Sequence, residues 1–171
     1  MEAFQRAIEP FQKHRHSRDD FSCEVESLER YFKTQAAQEV AKKVAAVFVL
    51  AEGRTVIGYY TLSSYTIDGG ELPDEVAKHL PNYPKLPAIL IGRLARDKKY
   101  ARQGVGETLL VDALRRSLEN TARVGAVAVV VEAENEKARK FYLDYGFIPF
   151  PGHRDKLFMP MGTIQKTFSP V

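Results

Sequence analysis

The chain has 171 residues, 44% of them hydrophobic and 27% charged, and its formal net charge is +3. This balance is typical of a globular protein with a sizeable hydrophobic core, and it excludes an intrinsically disordered chain. The single cysteine, Cys23, excludes an internal disulfide and a multi-cysteine zinc site. No apolar run reaches the roughly 20 residues of a membrane-spanning helix, and we expect no signal peptide. We therefore predict one domain over residues 1–171, located in the cytoplasm.

The first part of the chain is predicted to contain a short strand and an amphipathic helix. The strand is expected near Phe4 to Ile8. Asp19 or Asp20 is placed to cap the helix, which is predicted to run, with a break, as far as Ala41. The apolar stripe of this helix has i, i+4, i+7 and i+11 spacing and consists of Phe21, Val25, Leu28 and Phe32.

A hairpin and a long loop are predicted next. Residues 44–50 and 55–64 are rich in β-branched and aromatic side chains and flank a turn with a glycine, which predicts two antiparallel strands. Residues 66–87 contain two consecutive glycines and four prolines, so we expect a loop with one short helix near 74–80. A loop of this length in a compact domain is often functional.

The middle of the chain is predicted to contain a strand–helix–strand crossover. Residues 88–95 and 126–131 are continuous apolar runs, and between them a helix opens at Gly104-Val105-Gly106. The order predicts a right-handed crossover between two parallel strands that are covered on both faces. The buried face of the helix is expected to consist of Val105, Leu109, Leu110, Ala113, Leu114 and Leu118.

A helix and a hairpin are predicted at the end of the chain. The helix runs from about Glu136 to Tyr145 and is followed by Gly146, which suits the left-handed conformation that ends many helices. Residues 147–150 and 157–161 are expected to form a hairpin that closes the sheet. Together these elements predict a mixed α/β sheet.

The segment from Lys98 to Glu107 combines two glycines with basic residues between a strand and a helix. The first amides of a helix lack main-chain partners, and glycines let a ligand approach the backbone, so the segment is suited to bind a diphosphate. A plain glycine-rich turn is equally compatible with these residues. No Lys-Ser/Thr pair follows the second glycine, which excludes a Walker loop, and GxG without a third glycine does not match the dinucleotide pattern.

Two blocks resemble the GNAT (Gcn5-related) N-acetyltransferase superfamily. Residues 102–106, Arg-Gln-Gly-Val-Gly, are similar to its acyl-CoA loop, Q/R-x-x-G-x-G/A, except that Ala101 occupies the Q/R position. Residues 135–147 match the block N-x-x-A-x-x-F/L-Y-x-x-x-G-F. The resemblance implies an α/β GNAT fold, with a central twisted mixed sheet, splayed parallel strands and flanking helices. Arg102 or Gln103 is expected to supply the donor that Ala101 lacks.

A narrower resemblance, to the TacT- and AtaT-type toxins, covers most of the chain. Proteins of this group acetylate the amino group of aminoacyl-tRNA and are neutralised by a ribbon-helix-helix antitoxin. The resemblance implies a toxin that inhibits translation, with tRNA and antitoxin partners and a homodimeric state. Two alternatives stay open, a GNAT enzyme acting on a small amine or protein N-terminus, and a non-catalytic CoA-binding module. The matching segments are Phe21-x-Cys23 with Leu28 and Tyr31-Phe32, residues 58–63, residues 80–88 and residues 91–95.

The superfamily resemblance also implies roles in binding acetyl-CoA, the expected co-substrate, and no metal is expected. Asn135 is implied as a contact to the CoA arm, and Tyr142 as the general acid that protonates the departing thiolate. Backbone contacts to the pantetheine arm and the acetyl carbonyl are implied for Leu94, Ala95 and Arg96. Amide contacts to the pyrophosphate are implied for Arg102, Gln103, Gly104, Val105, Gly106 and Glu107.

The chemistry of acetyl transfer supports Tyr142 and an α-amine acceptor. A phenol with a pKa of about 10 can donate to the thiolate of a thiol with a pKa near 8.5. Spacing alone favours Tyr142 as a core residue of its helix, and it is the match to the family block that favours the general-acid role. No carboxylate stands out as the general base. Deprotonating a lysine amine at pH 7 costs about 4.6 kcal/mol against about 1.1 kcal/mol for an α-amine, so the missing base favours the α-amine.

A tRNA acceptor requires basic side chains on the surface, and Arg93, Lys98 and Lys99 are the candidates. Arg93 lies in an apolar strand, where an unpaired charge is unfavourable, so we expect a phosphate or carboxylate partner. A second basic run, Lys13 to Arg18, contains two histidines without nearby metal ligands. Tyr59, Tyr60 and Tyr65 are interpreted either as an acceptor pocket or as sheet packing.

Overall fold

The computed structural model describes residues 5–169, which form one mixed sheet with flanking helices. The strands are β1 (Arg6–Pro10), β2 (Ala46–Glu52), β3 (Thr55–Asp68), β4 (Lys85–Arg96), β5 (Ala128–Glu132), β6 (Ile148–Pro149) and β7 (Lys156–Pro160). The α-helices are α1 (Glu26–Thr34), α2 (Ala36–Ala41), α3 (Asp74–Ala77), α4 (Val105–Asn120), α5 (Glu136–Asp144) and α6 (Met161–Phe168). The strand order is β1-β2-β3-β4-β5-β7-β6, which confirms the predicted mixed α/β sheet.

The predicted crossover is confirmed by the parallel pairing of β4 with β5. Its ladder aligns Ile89 with Val129 and Ile91 with Val131, and β4 then continues to Arg96 beyond the last pair. Both strands are nearly all apolar here, as parallel strands covered on both faces require. The pairs β1–β2, β2–β3, β5–β7 and β6–β7 are antiparallel. A short ladder followed by an unpaired strand end is the pattern expected of splayed strands.

The chain divides into two compact units. The first contains residues 5–63 and Gly92–Ala113, and the second contains Ser64–Ile91 and residues 114–169. Since β3, β4 and α4 each extend from one unit into the other, the division cuts through elements rather than between them. The single domain predicted over residues 1–171 stays a prediction. Within residues 5–169, no helix is long and apolar enough to span a membrane.

The first unit has an aromatic core beneath α1 and α2. The rings of Phe32 and Tyr59 stack at 4.5 Å, and Phe21 meets Phe32 edge-on at 5.1 Å. The Tyr59 hydroxyl donates to the backbone oxygen of Leu28 at 2.5 Å. The core therefore fixes α1 against β3 through both stacking and a buried hydrogen bond.

The predicted start of the first helix was wrong, because α1 begins at Glu26 rather than after Asp19 or Asp20. Phe21 and Cys23 are buried, as their apolar spacing suggested, but they lie in an irregular segment. That segment satisfies its amides with side chains instead of helical carbonyls, and Cys23 N–H donates to Glu29 Oε1 at 3.0 Å. The predicted break is confirmed by the separation of α1 from α2 at Gln35.

Close packing of α4 in the first unit depends on Gly58 in β3. A Cβ atom at Gly58 would lie 2.8 Å from Leu109 Cδ1 and 3.1 Å from the backbone oxygen of Ala95. Only glycine lets the helix approach the strand this closely. Gly58 thus sets the distance between α4 and the strand beneath it.

The second unit has its own core, and it contains a helix that was not predicted. The Phe150 and Phe158 rings pack at 4.8 Å in this core, beside buried residues of β4 and β5. The strand predicted over 157–161 ends at Pro160, since proline has no N–H for the ladder, and α6 follows it. Met161 and Ile164 are buried by α6, whose stripe is too short to be recognised in the sequence.

Candidate active site

A buried carboxylate organises the segment between β4 and α4. Asp97 is 1% exposed. Its Oδ1 accepts the Lys99 N–H at 2.8 Å, and its Oδ2 accepts the Ser22 N–H at 3.2 Å and the Lys99 ammonium at 3.0 Å. The Lys99 ammonium also donates to the backbone oxygen of Asp20. Lys99, predicted as a tRNA contact, is thus tied to the turn by its ammonium, although its side chain stays 58% exposed.

The turn itself has two residues in the left-handed region, Arg102 at φ +62° and Gly104 at φ +71°. A non-glycine residue at positive φ is strained by roughly 1–2 kcal/mol. The first hydrogen bond of the α4 ladder runs from Thr108 N–H to Gly104 O at 3.0 Å. The amides before Thr108 therefore have no partner in the helix and are directed away from its N-terminus. Left-handed residues next to a helix N-terminus form the concave amide arrangement that binds anions. The pyrophosphate contacts predicted for residues 102–107 have the backbone geometry they need and stay a prediction.

Arg6 on β1 contacts this turn, and no signal in the sequence indicated it. Its Nη2 donates to Gln103 Oε1 at 2.7 Å, and its Cζ lies 5.5 Å from the Tyr100 ring centroid. Its Nε also bonds Glu52 Oε2 at 3.1 Å. Arg6 and Gln103 are 97 residues apart, so only the folded chain brings them together.

The end of β4 carries the residues predicted to hold the pantetheine arm. Ala95 is buried, whereas Leu94 and Arg96 are half-buried. Arg96 Nη2 lies 3.4 Å from Glu24 Oε1, and its Nε is buried without a hydrogen bond within the part of the chain that the structure describes. The backbone roles of Leu94, Ala95 and Arg96 stay predictions.

Among the described residues, the partner of Arg93 is aromatic, and the expected phosphate or carboxylate partner stays a prediction. Its guanidinium lies 3.6 Å from the centroid of the Tyr31 ring, a close cation–π contact. The Tyr31 hydroxyl is buried and makes no hydrogen bond of good geometry to residues 5–169. Burial, with the nearby Glu39 charge, raises the pKa of Tyr31 to about 12. The position of Arg93 in an apolar strand is therefore explained within the chain.

Two basic residues of the turn point to solvent instead. Lys98 and Arg102 are exposed, and neither forms an ion pair with another described residue. Lys98 N–H is bound to the backbone oxygen of Ser22 at 2.8 Å, which fixes its Cα while the ammonium stays free. Of the candidate phosphate contacts, these two have the most accessible charge.

The basic run from Lys13 to Arg18 is partly internal. His16 is 2% exposed, and its Nδ1 accepts the Gln12 N–H at 3.0 Å, so Nε2 carries the proton and donates to Glu9 Oε1 at 2.7 Å. Arg18 donates to the backbone oxygen of Phe32 at 3.2 Å. The run therefore ties β1 to the core, and its expected role as a basic surface was wrong for His16.

Asn135 in the second unit has a local structural role. Its Oδ1 accepts the Ala138 N–H at 2.8 Å, which caps the N-terminus of α5. This bond explains the asparagine with which the block begins. The contact from Asn135 to the CoA arm stays a prediction.

Tyr142 is fixed by the C-terminus of the same helix. Gly146 adopts φ +95°, and the N–H groups of Gly146 and Phe147 donate to Leu143 O and Tyr142 O at 3.0 and 3.1 Å. This is a Schellman motif, with the Tyr142 and Phe147 rings in contact at 5.3 Å. The tyrosine, the glycine and the following phenylalanine of the block are therefore linked by one capping structure.

The Tyr142 phenol is suited to donate a proton. Its residue is 6% exposed, and burial, with a smaller contribution from the Glu134 charge, raises its pKa well above the usual value of 10. The phenol therefore keeps its proton at neutral pH. Core packing and proton donation are both compatible with this position, and the general-acid role stays a prediction.

The tyrosines proposed for an acceptor pocket pack in the sheet. Tyr59 and Tyr60 are completely buried, and the Tyr60 hydroxyl donates to Asp112 Oδ2 at 2.5 Å. Tyr65 is half-buried, with the Lys156 ammonium 5.1 Å from its ring centroid. Sheet packing is thus the better interpretation for Tyr59 and Tyr60.

The long loop between β3 and β4 forms an open cavity of about 750 Å³ in the second unit. Gly69 is required there, since a Cβ atom would lie 2.7 Å from the Tyr83 backbone oxygen. The predicted short helix of this loop is confirmed as α3. Within residues 5–169, no group of three or more His, Cys, Asp or Glu side chains is placed to hold a metal ion.

Arg93, Lys98, Lys99 and the predicted diphosphate loop all belong to the first unit. Asn135 and Tyr142 belong to the second unit.

Known proteins were compared by family profile, by sequence and by structure, and all three comparisons find acetyltransferases or toxins related to them. The sequence profile described as the acetyltransferase (GNAT) domain matches residues 43–149. The chain is 31% identical to the probable toxin TacT of Sinorhizobium fredii over 95% of each protein. The structure of AtaT complexed with acetyl-methionyl-tRNAfMet is 31% identical, with a TM-score of 0.88 over 96% of this chain and 100% of AtaT. A tyrosine-to-phenylalanine mutant of AtaT, bound to the C-terminus of the antitoxin AtaR, is 29% identical, with a TM-score of 0.83 over 96% and 98%.

These similarities confirm the resemblance on which the predictions of fold and enzyme class depend. They also confirm acetyl-CoA as the co-substrate, because it is the acetyl donor of this class of transferase.

Proposed function

Because the chain belongs to the GNAT acetyltransferase family, we propose that it is a toxin that acetylates the α-amino group of aminoacyl-tRNA and thereby inhibits translation. The observation that carries this proposal is the similarity, over 96% of the chain, to AtaT in complex with an acetylated aminoacyl-tRNA. The similarity to a probable TacT toxin over 95% of the chain supports it independently. An acetylated α-amine can no longer form a peptide bond, which explains the inhibition.

The first unit binds the acetyl donor in this proposal. The amides of residues 102–107 hold the pyrophosphate, and the backbone of residues 94–96 holds the pantetheine arm and the acetyl carbonyl. The left-handed turn at Arg102 and Gly104 supports the first assignment, since it presents amides to an anion. The position of residues 94–96 beyond the β4–β5 ladder supports the second, since their backbone groups are not paired with β5.

Tyr142 in the second unit acts as the general acid. The neutral amine attacks the thioester carbon, a C–N bond forms, the C–S bond breaks, and the departing thiolate takes the Tyr142 proton. The amine nitrogen loses its extra proton to water, which then restores the phenol. The role is supported by the buried phenol, which is protonated before each turnover, while its raised pKa makes it a weaker acid than a free tyrosine.

Exposed charge on the turn before α4 contacts the tRNA. Lys98 and Arg102 contribute directly because both point to solvent without an ion pair among the described residues. Lys99 and Arg93 contribute less, since each already has a partner within the first unit. Removal of either direct contact should weaken tRNA binding, and the loss of affinity should be larger at low salt than at high salt.

The toxin has a ribbon-helix-helix antitoxin as partner, forms a homodimer and acts in the cytoplasm, where charged tRNA is found. The complex of AtaT with the C-terminus of AtaR supports the antitoxin.

The test is incubation of the protein with labelled acetyl-CoA and total charged tRNA. We expect label on the α-amine of aminoacyl-tRNA and a loss of kcat of at least about 100-fold for Tyr142→Phe, with unchanged affinity for acetyl-CoA. Tyr145→Phe, three residues later in the same helical region, is the matched control and should stay within twofold. Label only on small amines would overturn the tRNA assignment, and binding of acetyl-CoA without any transfer would indicate a binding module.

A further inference from the structure

The turn between β4 and α4 contains a strained residue that the residue before it in the sequence does not stabilise. Arg102 adopts a left-handed conformation, and Ala101 before it has no side chain that could anchor the turn. Strained residues persist where neighbouring contacts hold them in place. The residues on either side of this pair, Tyr100 and Gln103, are the ones that Arg6 contacts.

Arg6 is itself fixed before it meets the turn. In the β1–β2 ladder it lies opposite Glu52, and its Nε bonds the Glu52 carboxylate at 3.1 Å. Its remaining nitrogens face the turn, where Nη2 donates to Gln103 Oε1 at 2.7 Å and the guanidinium lies 5.5 Å from the Tyr100 ring centroid. One planar group with a fixed orientation therefore bridges both flanks of the strained residue.

The hydrogen bond from Arg6 also orients the Gln103 amide. An amide whose oxygen accepts a bond has its NH₂ group directed away from that donor. The Gln103 NH₂ group is thus left as a donor beside the amides of the turn. A side-chain donor of this kind is what the family pattern supplies three residues before Gly104, where this chain has Ala101.

We propose that Arg6 is a positioning residue for acetyl-CoA, which holds the turn from Tyr100 to Gln103 in its diphosphate-binding conformation and aims the Gln103 amide at the diphosphate. This role rests on the proposed binding of the pyrophosphate by residues 102–107. Arg6 lies outside residues 43–149, the part of the chain that matches the acetyltransferase profile. The N-terminal strand is therefore part of the co-substrate site.

The experiment measures the affinities of purified full-length variants by calorimetry for two acetyl donors. Acetyl-CoA carries the diphosphate, and acetyl-pantetheine carries the same thioester arm without any phosphate. We expect Arg6→Ala to weaken acetyl-CoA binding about tenfold and to leave the shorter donor within twofold, because only the diphosphate contacts the turn. Arg6→Lys should lose most of the affinity as well, since an ammonium lacks the planar fork.

A double-mutant cycle separates positioning from direct phosphate contact. Gln103→Ala should weaken acetyl-CoA binding about as much as Arg6→Ala, and the double variant no more than about twofold further, because both act through one donor. Multiplied losses in the double variant would show that Arg6 contacts the phosphate itself and would overturn the proposal. Equal losses for both donors, or a loss below twofold for acetyl-CoA, would overturn it as well.

Arg15→Ala is the matched control. Arg15 is an exposed arginine that also pairs with a carboxylate of β1, Glu9 Oε1 at 3.0 Å, so its removal changes the net charge equally. The Arg15→Ala variant should bind both donors with the affinity of the wild type. Since these measurements contain no tRNA, a failure of the tRNA assignment leaves them interpretable. A wild type that acetylates tRNA while Arg6→Ala binds acetyl-CoA normally would reject this inference alone.

Discussion

The turn before α4 and the helix α5 are both predicted to act on acetyl-CoA, but they are stabilised over very different distances along the chain. Asp97 in the turn bonds the amide of Ser22, 75 residues earlier, and Gln103 is bound by Arg6, 97 residues earlier. Helix α5 is capped by Asn135, three residues before its bonding partner, and ended by Gly146. Damage to the turn should therefore affect the whole first unit, whereas damage to α5 should stay local.

Asp97→Ala should have the largest effect, because it removes the carboxylate that joins the turn to the Ser22 segment. Two amides and an ammonium lose their acceptor, and we expect a loss of about 3 kcal/mol in the free energy of unfolding. Urea unfolding of the wild type and of Asp97→Ala measures this loss. Asp144→Ala, which removes an exposed carboxylate paired with Lys140, is the control and should cost less than about 0.5 kcal/mol. A loss below about 1 kcal/mol for Asp97→Ala would mean that the turn is held by other contacts.

Gly146→Ala should have the second-largest effect. It tests whether helix α5 acts independently of the turn before α4. At φ +95° an alanine is strained, with an expected loss of about 1–2 kcal/mol in stability. Because the Schellman motif positions Tyr142, kcat for acetyl transfer should fall while the calorimetric affinity for acetyl-CoA stays within twofold. Gly162→Ala in α6 is the control, since its Cβ meets nothing within 4 Å, and there alanine should raise stability. A parallel loss of affinity in Gly146→Ala would refute the local character of this region.

The same contrast explains what could be predicted from the sequence. The helix from about Glu136 to Tyr145 was predicted because its apolar spacing and the glycine that ends it lie within one short segment. The crossover between β4 and β5 was predicted for a similar reason, since two apolar runs and a helix suffice. Arg6 was missed because no local pattern records a partner 97 residues away.

The wrong predictions also come from contacts that are distant in the chain. The spacing of Phe21 and Val25 matched a helix, but Ser22 is bonded to Asp97 and the segment stays irregular. The contact of Arg93 with the Tyr31 ring was missed, because that ring could not be placed from the sequence. Side chains whose environment is built by tertiary contacts were therefore the least predictable part of the site.

Asn135→Ala should have a smaller effect, about 1 kcal/mol, the usual contribution of a helix N-cap. Thermal unfolding and acetyl-CoA calorimetry should be measured together. Asn135→Asp keeps an oxygen in the capping position and should restore the stability. If it also restores the affinity, capping explains the role of Asn135. If the affinity stays low while the stability recovers, Asn135 contacts the CoA arm as the family resemblance implies.

Acid should produce the smallest effect, and Glu9 on β1 is one carboxylate of the first unit through which it acts. The hydrogen bond from His16, with the charge of Arg15, holds the pKa of Glu9 below its usual value of 4.5. Since the folded-state pKa is the lower one, Glu9 stabilises the fold above about pH 4.5 and loses this contribution as the pH falls through the folded-state value. Glu9→Gln should therefore lower the urea midpoint slightly at pH 6, by about 0.5 kcal/mol in stability, and match the wild type near pH 3. Glu26→Gln, which alters an exposed pair with Arg30, is the control and should leave the stability at pH 6 nearly unchanged. A Glu9→Gln deficit that persisted at pH 3 would mean that the glutamine disturbs the buried His16 ring rather than removing a charge.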